Sequence, residues 1–342
     1  MVKTLPLKEA LALFPITDWD RNLFSSPQWL SVIQKTYGTR LFVKYIERDG
    51  EIASYIIYAI VHNFLEWKIC LCSYCDYCDG RVQEARDWTA FFNALRREFP
   101  QYRIAVRNLR DEHARGCGAF DVLSRERFHI LDVRPSLEEI WRLGHDSHKA
   151  AVNQAKRKGV VVRRCSREAL KDFYDCHLSV RKNKYRIFPQ PYAFFENIWK
   201  TYMTEGKGFL LGAYSVEGRF IGGNIFLVCG DTLYYKFNTS RYQALHLRPN
   251  NILFWEGIKL AKELGLSYID MGSSGYEQTG LIRFKEHIGA RAMEITHLGY
   301  HPPGYRFSQK RILRFLTAFF TQSWMPDSCL RWGSRIIYHY LA

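Results

Sequence analysis

The chain has 342 residues, 47% hydrophobic, 15% aromatic and 24% charged, proportions that fit two globular domains and exclude global disorder. Its formal charge of +15 is unevenly placed: residues 1–140 balance 19 Lys+Arg with 19 Asp+Glu, while residues 141–342 carry 30 against 15. No uncharged apolar run reaches the roughly 18 residues of a spanning helix, and an odd nine cysteines fit reduced thiols better than a disulfide frame.

Met1 to Pro6 has neither the apolar region nor the cleavage site of a signal peptide, so a cytoplasmic chain is expected. Pro27 to Tyr37 reads as a helix. Leu41 to Ile46 and Ile52 to Val61 read as strands meeting at Asp49-Gly50. In Ala85 to Phe99 the helical spacing puts Trp88, Phe91, Phe92 and Leu95 on one face, and strands follow at Tyr102 to Val106 and Phe128 to Val133. Pro135-Ser136 opens a polar helical stretch that runs, with breaks, to Lys158-Gly159, and a domain boundary is expected near residue 140.

Beyond it, a strand (Val160 to Arg164) leads to helices at Arg167 to Arg181 and Tyr192 to Met203. Three strands follow, Gly208 to Ser215, Phe220 to Val228 and Thr232 to Asn238, with Glu217-Gly218 and Gly230-Asp231 at the turns. A helix starts at Pro249 and stops at Gly265, where Phe254, Ile258 and Ala261 oppose Glu256, Lys259 and Glu263. A strand (Ser267 to Met271), a helix (Gly280 to His287) and a strand (Ala292 to Leu298) close the unit. The tail reads as two helices, Phe307 to Thr321 and one from about Asp327. Ile312, Phe315, Leu316 and Phe319 form a stripe opposite Lys310, Arg311 and Arg314, and Arg331 and Arg335 add charge. Such a tail fits either an anionic bilayer, through residues 307–342, or a seat on the first domain.

The order of the second half is that of the GNAT acyltransferase fold, which by itself assigns no chemistry. The residues Tyr234-Tyr235-Lys236-Phe237-Asn238, Leu247 to Trp255, Ile269-Asp270-Met271-Gly272, Gly280 to Lys285 and Gly289-Ala290 resemble the Fem-like aminoacyl transferases and related GNAT proteins of exopolysaccharide clusters. Phe24 to Leu30 and Lys149 to Gly159 resemble that family's openings of its two domains. The resemblance implies an α/β (α+β) chain of two tandem GNAT-like acyltransferase domains, residues 1–140 and 141–305, with a basic helical extension, 306–342. It implies transfer of an aminoacyl or other acyl group to an amine of a cell-envelope, peptidoglycan or exopolysaccharide precursor, lipid-linked or nucleotide-linked. The donor would be aminoacyl-tRNA and, less readily, acyl-CoA, with no cofactor and no metal, at the inner face of the membrane. Ordinary acetyl-CoA enzymes hold pyrophosphate on a glycine-rich turn at a helix start. Here the turn is Arg248-Pro249-Asn250-Asn251, with no glycine and one amide missing.

By the same resemblance, Phe284 meets the donor's terminal adenosine and Lys285 stabilises the oxyanion of ester aminolysis. The alternative for Lys285 is a surface lysine on an amphipathic helix. Asp270, closing a strand, either orients the incoming ammonium group or caps Ser273 and the turn that follows. Tyr235, Lys236, Arg248, Asn250 and Asp76 are substrate contacts in this comparison. Lys156, Arg157, Lys158, Arg163, Arg164, Arg181, Lys182 and Lys184 would neutralise phosphates of tRNA or of a diphosphate-linked lipid, unless they are solvated helix ends. Two other patterns carry less. Cys72, Cys75 and Cys78, with Cys70 nearby, lack the fourth ligand of an iron–sulfur site. His145-Asp146-Ser147-His148 cannot form a triad from adjacent residues, and Asp146 or Ser147 reads as a helix N-cap. The remaining reading is a non-catalytic nucleic-acid- or membrane-binding module.

Overall fold

A computed structural model describes residues 1–14, 22–63, 66–71, 74–78, 80–110, 112–304 and 309–338. The chain divides into two compact units, Met1–Glu126 with Glu294–Ile312, and Arg127–Met293 with Leu313–Tyr338. The division falls at Glu126, inside the strand Asp121–Asp132 and earlier than residue 140.

The first unit opens with β1 (Val2–Pro6) and α1 (Leu7–Leu13), followed by α2 (Pro27–Tyr37), β2 (Arg40–Arg48), β3 (Glu51–Asn63), β4 (Glu66–Leu71), α3 (Ala85–Glu98), β5 (Arg103–Asn108) and α4 (Glu112–Gly116). Strands β1 to β4 pair antiparallel in order, β4 pairs β5 in parallel, and the late strand Arg291–Tyr300 adds antiparallel to β5. Neither β1 nor β4 is apparent in the sequence. β1 is held at the edge by Lys44, which is fully buried; its Nζ donates to Thr4 Oγ1 (2.7 Å) and pairs with Glu98. The apolar face expected on α3 is in the core, with Trp88, Phe91, Phe92 and Leu95 all buried against Ile56, Ile69 and Ile104. α2 starts as its sequence suggests: the Ser26 hydroxyl accepts from the Trp29 amide, Pro27 takes the first turn, and Gly38 (φ 64°) ends it.

In the second unit the chain runs β6 (Asp121–Asp132, from Arg127 on), α5 (Leu137–Leu143), α6 (Asp146–Arg157), β7 (Val161–Arg164), α7 (Ala169–Val180) and α8 (Tyr192–Ile198). Next come β8 (Gly208–Tyr214), β9 (Phe220–Cys229), β10 (Thr232–Ser240), α9 (Pro249–Glu263), β11 (Tyr268–Gly275) and α10 (Thr279–His287). The helices expected to run to Arg181 and Met203 change to π turns at Arg181–Tyr185 and Trp199–Met203. Strand order is β7-β8-β9-β10-β11-β6. Four antiparallel strands and then a parallel pair, with a helix crossing between its members, is the order of the first unit again. The two units are tandem GNAT-like folds although their sequences show no repeat. The first unit takes its sixth strand, Arg291–Tyr300, from a distant part of the chain, and the second takes β6 from its own start.

The tail does not take the seat on the first domain. α11 (Gln309–Phe320, from Leu313 on) and α12 (Asp327–Ile337) belong to the second unit, with Phe320 against Phe188 at 5.5 Å between ring centroids and Leu330 and Ile337 buried. Residues 305–308, where this helix was expected to begin, lie outside the described residues.

The second core centres on α9, which buries Leu253, Phe254, Ile258 and Ala261 over the sheet. Gly257 lets this helix approach: a Cβ there would stand 2.4 Å from Phe226 Cζ. Gly257→Ala is therefore expected to destabilise the protein by about 2 kcal/mol in denaturant unfolding, despite alanine's higher helix propensity.

Candidate active site at the end of the parallel pair

The parallel ladder between β10 and β11 holds three residue pairs, Thr232–Tyr268, Leu233–Ile269 and Tyr234–Asp270. β10 runs on to Ser240 and β11 to Gly275, each beyond the last pair. A register shift between Tyr235 and Phe237 on the β9 side bulges β10 at Lys236. Backbone and side chains at the strand ends are thereby released from the ladder. In open α/β sheets such a place, at the carboxyl ends of parallel strands, is where ligands enter.

Asp270 and Lys285 converge on the turn just past it. Asp270, buried, accepts from the Gly272 amide through Oδ1 (2.7 Å). Lys285 is 2% exposed, which excludes a surface lysine, and its Nζ donates to the carbonyls of Gly272 (2.8 Å) and Ser273 (3.1 Å). Gly272 has φ 69°, a left-handed conformation that glycine takes without strain, and both side chains secure it. Sequence reasoning missed two neighbours. Ser274 Oγ is buried without a hydrogen bond, and His129, fully buried on β6, has neither ring nitrogen hydrogen-bonded. Glu286 stands 3.8 Å from His129 Nε2; burial, reinforced by the Lys285 charge, brings the imidazole down to about 4.

The start of α9 forms the opposite side of the strand ends. Arg248 adopts φ 58° and its Nε donates to Gln154 Oε1 (3.1 Å), while Pro249 takes the first helical position. Asn238 Nδ2 donates to Asn224 Oδ1 (2.6 Å) and to Asn250 Oδ1 (3.1 Å), linking β9, β10 and α9. Asn224 is buried and its own Nδ2 has no partner. Asn251 Nδ2 lies 3.2 Å from His148 Nδ1, and His148 Nε2 is buried without a partner. Burial takes His148 down to about 4. Tyr235 packs edge-on against Phe254, and burial pushes its phenol up. Phe284 meets the other side of Phe254 at 6.2 Å.

The remaining predicted residues divide. Lys236 is half-buried at the bulge. Asp76 is half-buried in the segment after β4, in the first unit. Lys156 lies over the Trp141 ring and Lys158 donates to His246 O (3.1 Å), while Arg157 is exposed. Arg163 stacks over Tyr214, and Arg181 and Lys184 over Tyr185. Two members of the basic cluster are committed elsewhere. Arg164 pairs with Glu263. Lys182 is buried, with Nζ on Met325 O (2.7 Å) and Asp327 Oδ1 (2.9 Å), so it holds the tail and meets no phosphate. The N-cap of α6 is His145, whose Nδ1 accepts from the Ser147 amide (3.1 Å), in place of Asp146 or Ser147. Among the described residues no three His, Cys, Asp or Glu side chains gather as a metal would require, and Cys72 and Asp79 lie outside them.

Two outcomes are expected. Lys285→Met leaves two carbonyls without their charged donor and lowers unfolding free energy by about 3 kcal/mol, read by denaturant titration. For His148, the folded pKa lies below the unfolded value near 6.5, so the unfolded chain takes up its proton first as pH falls. Stability is complete above about 6.5 and declines towards pH 4, and His148→Asn flattens that decline in melts across this window.

Residues 146–286 match the Acetyltransferase (GNAT) domain family. No curated protein matches the chain in sequence. The crystal structure of FemX is similar at TM-score 0.66 and 14% identity, over 89% of this chain and 98% of that one. A tandem GNAT protein from the clavulanic acid biosynthesis pathway is similar at TM-score 0.55 and 9% identity, over 90% and 100%. The C-terminal domain of a lysylphosphatidylglycerol synthetase from Agrobacterium fabrum, described as putative in its own structure, is similar at TM-score 0.50 and 10% identity, over 85% and 91%. Residues 146–286 thus carry a GNAT acetyltransferase domain, and the fold of the chain is similar to that of FemX.

Proposed function

We propose that this acyltransferase moves an aminoacyl group from aminoacyl-tRNA to an amine of a lipid-linked or nucleotide-linked cell-envelope precursor of peptidoglycan or exopolysaccharide type. The observation that carries the donor assignment is the start of α9. A helix N-terminus binds phosphate through its first free amides. In α9 the first position is Pro249, which has no N–H, so the first helical position offers no amide to a phosphate. The Asn250 and Asn251 side chains are engaged with Asn238 and His148. The turn thus offers one amide fewer than the cradle a CoA pyrophosphate uses, while Arg248 and Lys158 place positive charge beside it. The name of the lysylphosphatidylglycerol synthetase, whose product is an aminoacylated lipid, supports an aminoacyl group and a lipid-borne acceptor.

In this reading the acceptor ammonium gives one proton to solvent, its nitrogen attacks the ester carbon, the C–N bond forms, and the ester C–O bond breaks. The tRNA ribose oxygen leaves as a hydroxyl, and the nitrogen's second proton goes to it or to solvent. Asp270, its carboxylate fixed by the Gly272 amide, orients the ammonium. Lys285 contributes positive charge beside the developing oxyanion and rigidity at Gly272–Ser273, since two of its N–H groups point at carbonyls. Phe284 and Tyr235 supply a flat apolar wall for the terminal adenosine. Arg163, Arg181 and Lys184 meet phosphates.

The second reading, acyl-CoA-dependent N-acyl transfer, is favoured by the GNAT family match itself, and the binding experiment separates the two. Purified protein is expected to retain labelled aminoacyl-tRNA with an affinity that falls about tenfold or more from low to moderate salt, and not to retain labelled acetyl-CoA. CoA retention without tRNA would move the assignment to the second reading. Failure of both would favour a non-catalytic binding module.

A further inference from the structure

The tail helices turn one face to the second unit and leave a different one bare. The docked face is well fastened. Leu330 and Ile337 are buried, Lys182 grips Met325 and Asp327, and Arg331 bonds Asp175 (2.6 Å) while lying over the Tyr174 ring at 5.0 Å. The other face is apolar and open: Phe315 is 69% exposed, Trp324 65%, Trp332 61%, Phe319 44% and Ile336 43%. Phe319 and Trp324 pack edge-on at 5.7 Å, and Trp332 and Ile336 follow one another at helical spacing on α12. Solvated surfaces do not ordinarily gather aromatics in this way.

We propose that this face seats the protein on an anionic lipid bilayer. Charge identifies the partner. Residues 309–338 carry Lys310, Arg311, Arg314, Arg331 and Arg335 against one acidic residue, Asp327. The turn that Lys182 ties to the tail exposes Lys184 and Arg186 beside Tyr185 and Ile187. Tryptophan and basic side chains on the open face of short helices suit the plane between headgroups and acyl chains, where the indole N–H and the charges stay wet. Each Lys or Arg near an anionic surface adds about fivefold to partitioning. A second copy of this chain fits poorly, because a two-fold contact would bring the exposed Arg314 and Arg335 against the same pair. No helix among the described residues is long and apolar enough to cross a membrane, so the seat is a surface one. This inference does not depend on which donor the enzyme uses.

The test is co-sedimentation of the full chain with phosphatidylcholine vesicles, with and without roughly a third phosphatidylglycerol, followed also by tryptophan emission. Binding with a blue shift is expected only with the anionic lipid. The pair Trp324→Ser and Trp332→Ser, both at exposed positions, should lower partitioning about tenfold or more with an unchanged thermal melt. Arg314→Glu with Arg335→Glu should remove the preference for phosphatidylglycerol. Equal binding to both vesicles, binding to neither, or loss in the tryptophan pair of a self-association seen by light scattering would each overturn the proposal, the last by making the face a contact between copies.

Discussion

A parallel ladder of three residue pairs governs the second unit. Parallel strands cannot be joined by a tight turn, so α9 must cross the sheet to bring β11 beside β10. Because the pairing stops at Tyr234–Asp270 while both strands continue, the strand ends are left with backbone groups that need other partners. Lys285 and Asp270 meet that need at Gly272, one on the carbonyl and one on the amide. A buried ammonium costs desolvation, and its hydrogen bonds offset much of that cost only in this geometry. The same arrangement that completes the fold thus holds a positive charge and a carboxylate around one turn at the end of the sheet.

The buried polar groups around this place are uneven in their satisfaction. Asn238 links Asn224 to Asn250 with a single amide nitrogen, yet Asn224 Nδ2, Ser274 Oγ and His148 Nε2 have no partner. Buried polar atoms are rarely left so, and these three lie on elements that meet near the strand ends. The three buried imidazoles among the described residues follow the same logic. His129 and His148 are brought to about 4, and His177, which bonds Gln190, to about 3, in each case first by burial. All three are neutral at physiological pH, which leaves Lys285 as a fixed positive charge beside His129.

The distribution of charge along the chain acquires structural meaning from the tail. Of the basic residues in the second half, Lys182, Arg164 and Arg331 are taken up in pairs within the unit. Arg157, Arg163 and Lys184 remain at the surface. Removing the paired cations from the count still leaves an electropositive surface, with part of it flanking bare indoles.

Much of this architecture was legible in the residues. The stripe of Trp88, Phe91, Phe92 and Leu95, the proline-to-glycine span of α9 and the glycine turns between β8, β9 and β10 are local signals, carried by side-chain period and backbone preference. The GNAT order was legible for the same reason, whereas Lys285 and Asp270 were singled out by resemblance to the Fem-like family. Sequence could not show that Lys285 is buried, that Lys182 faces the tail, that His145 caps α6, or that His129 stands beside the site, because each depends on what another segment places opposite. Nor could it show β1 and β4, short strands whose assignment rests on their neighbours. Composition, period and turn chemistry determined the elements and their class. Tertiary structure alone decided which strands exchange between distant parts of the chain, where the ladder ends and which charges are left free, since pairing and burial are properties of residues far apart in sequence.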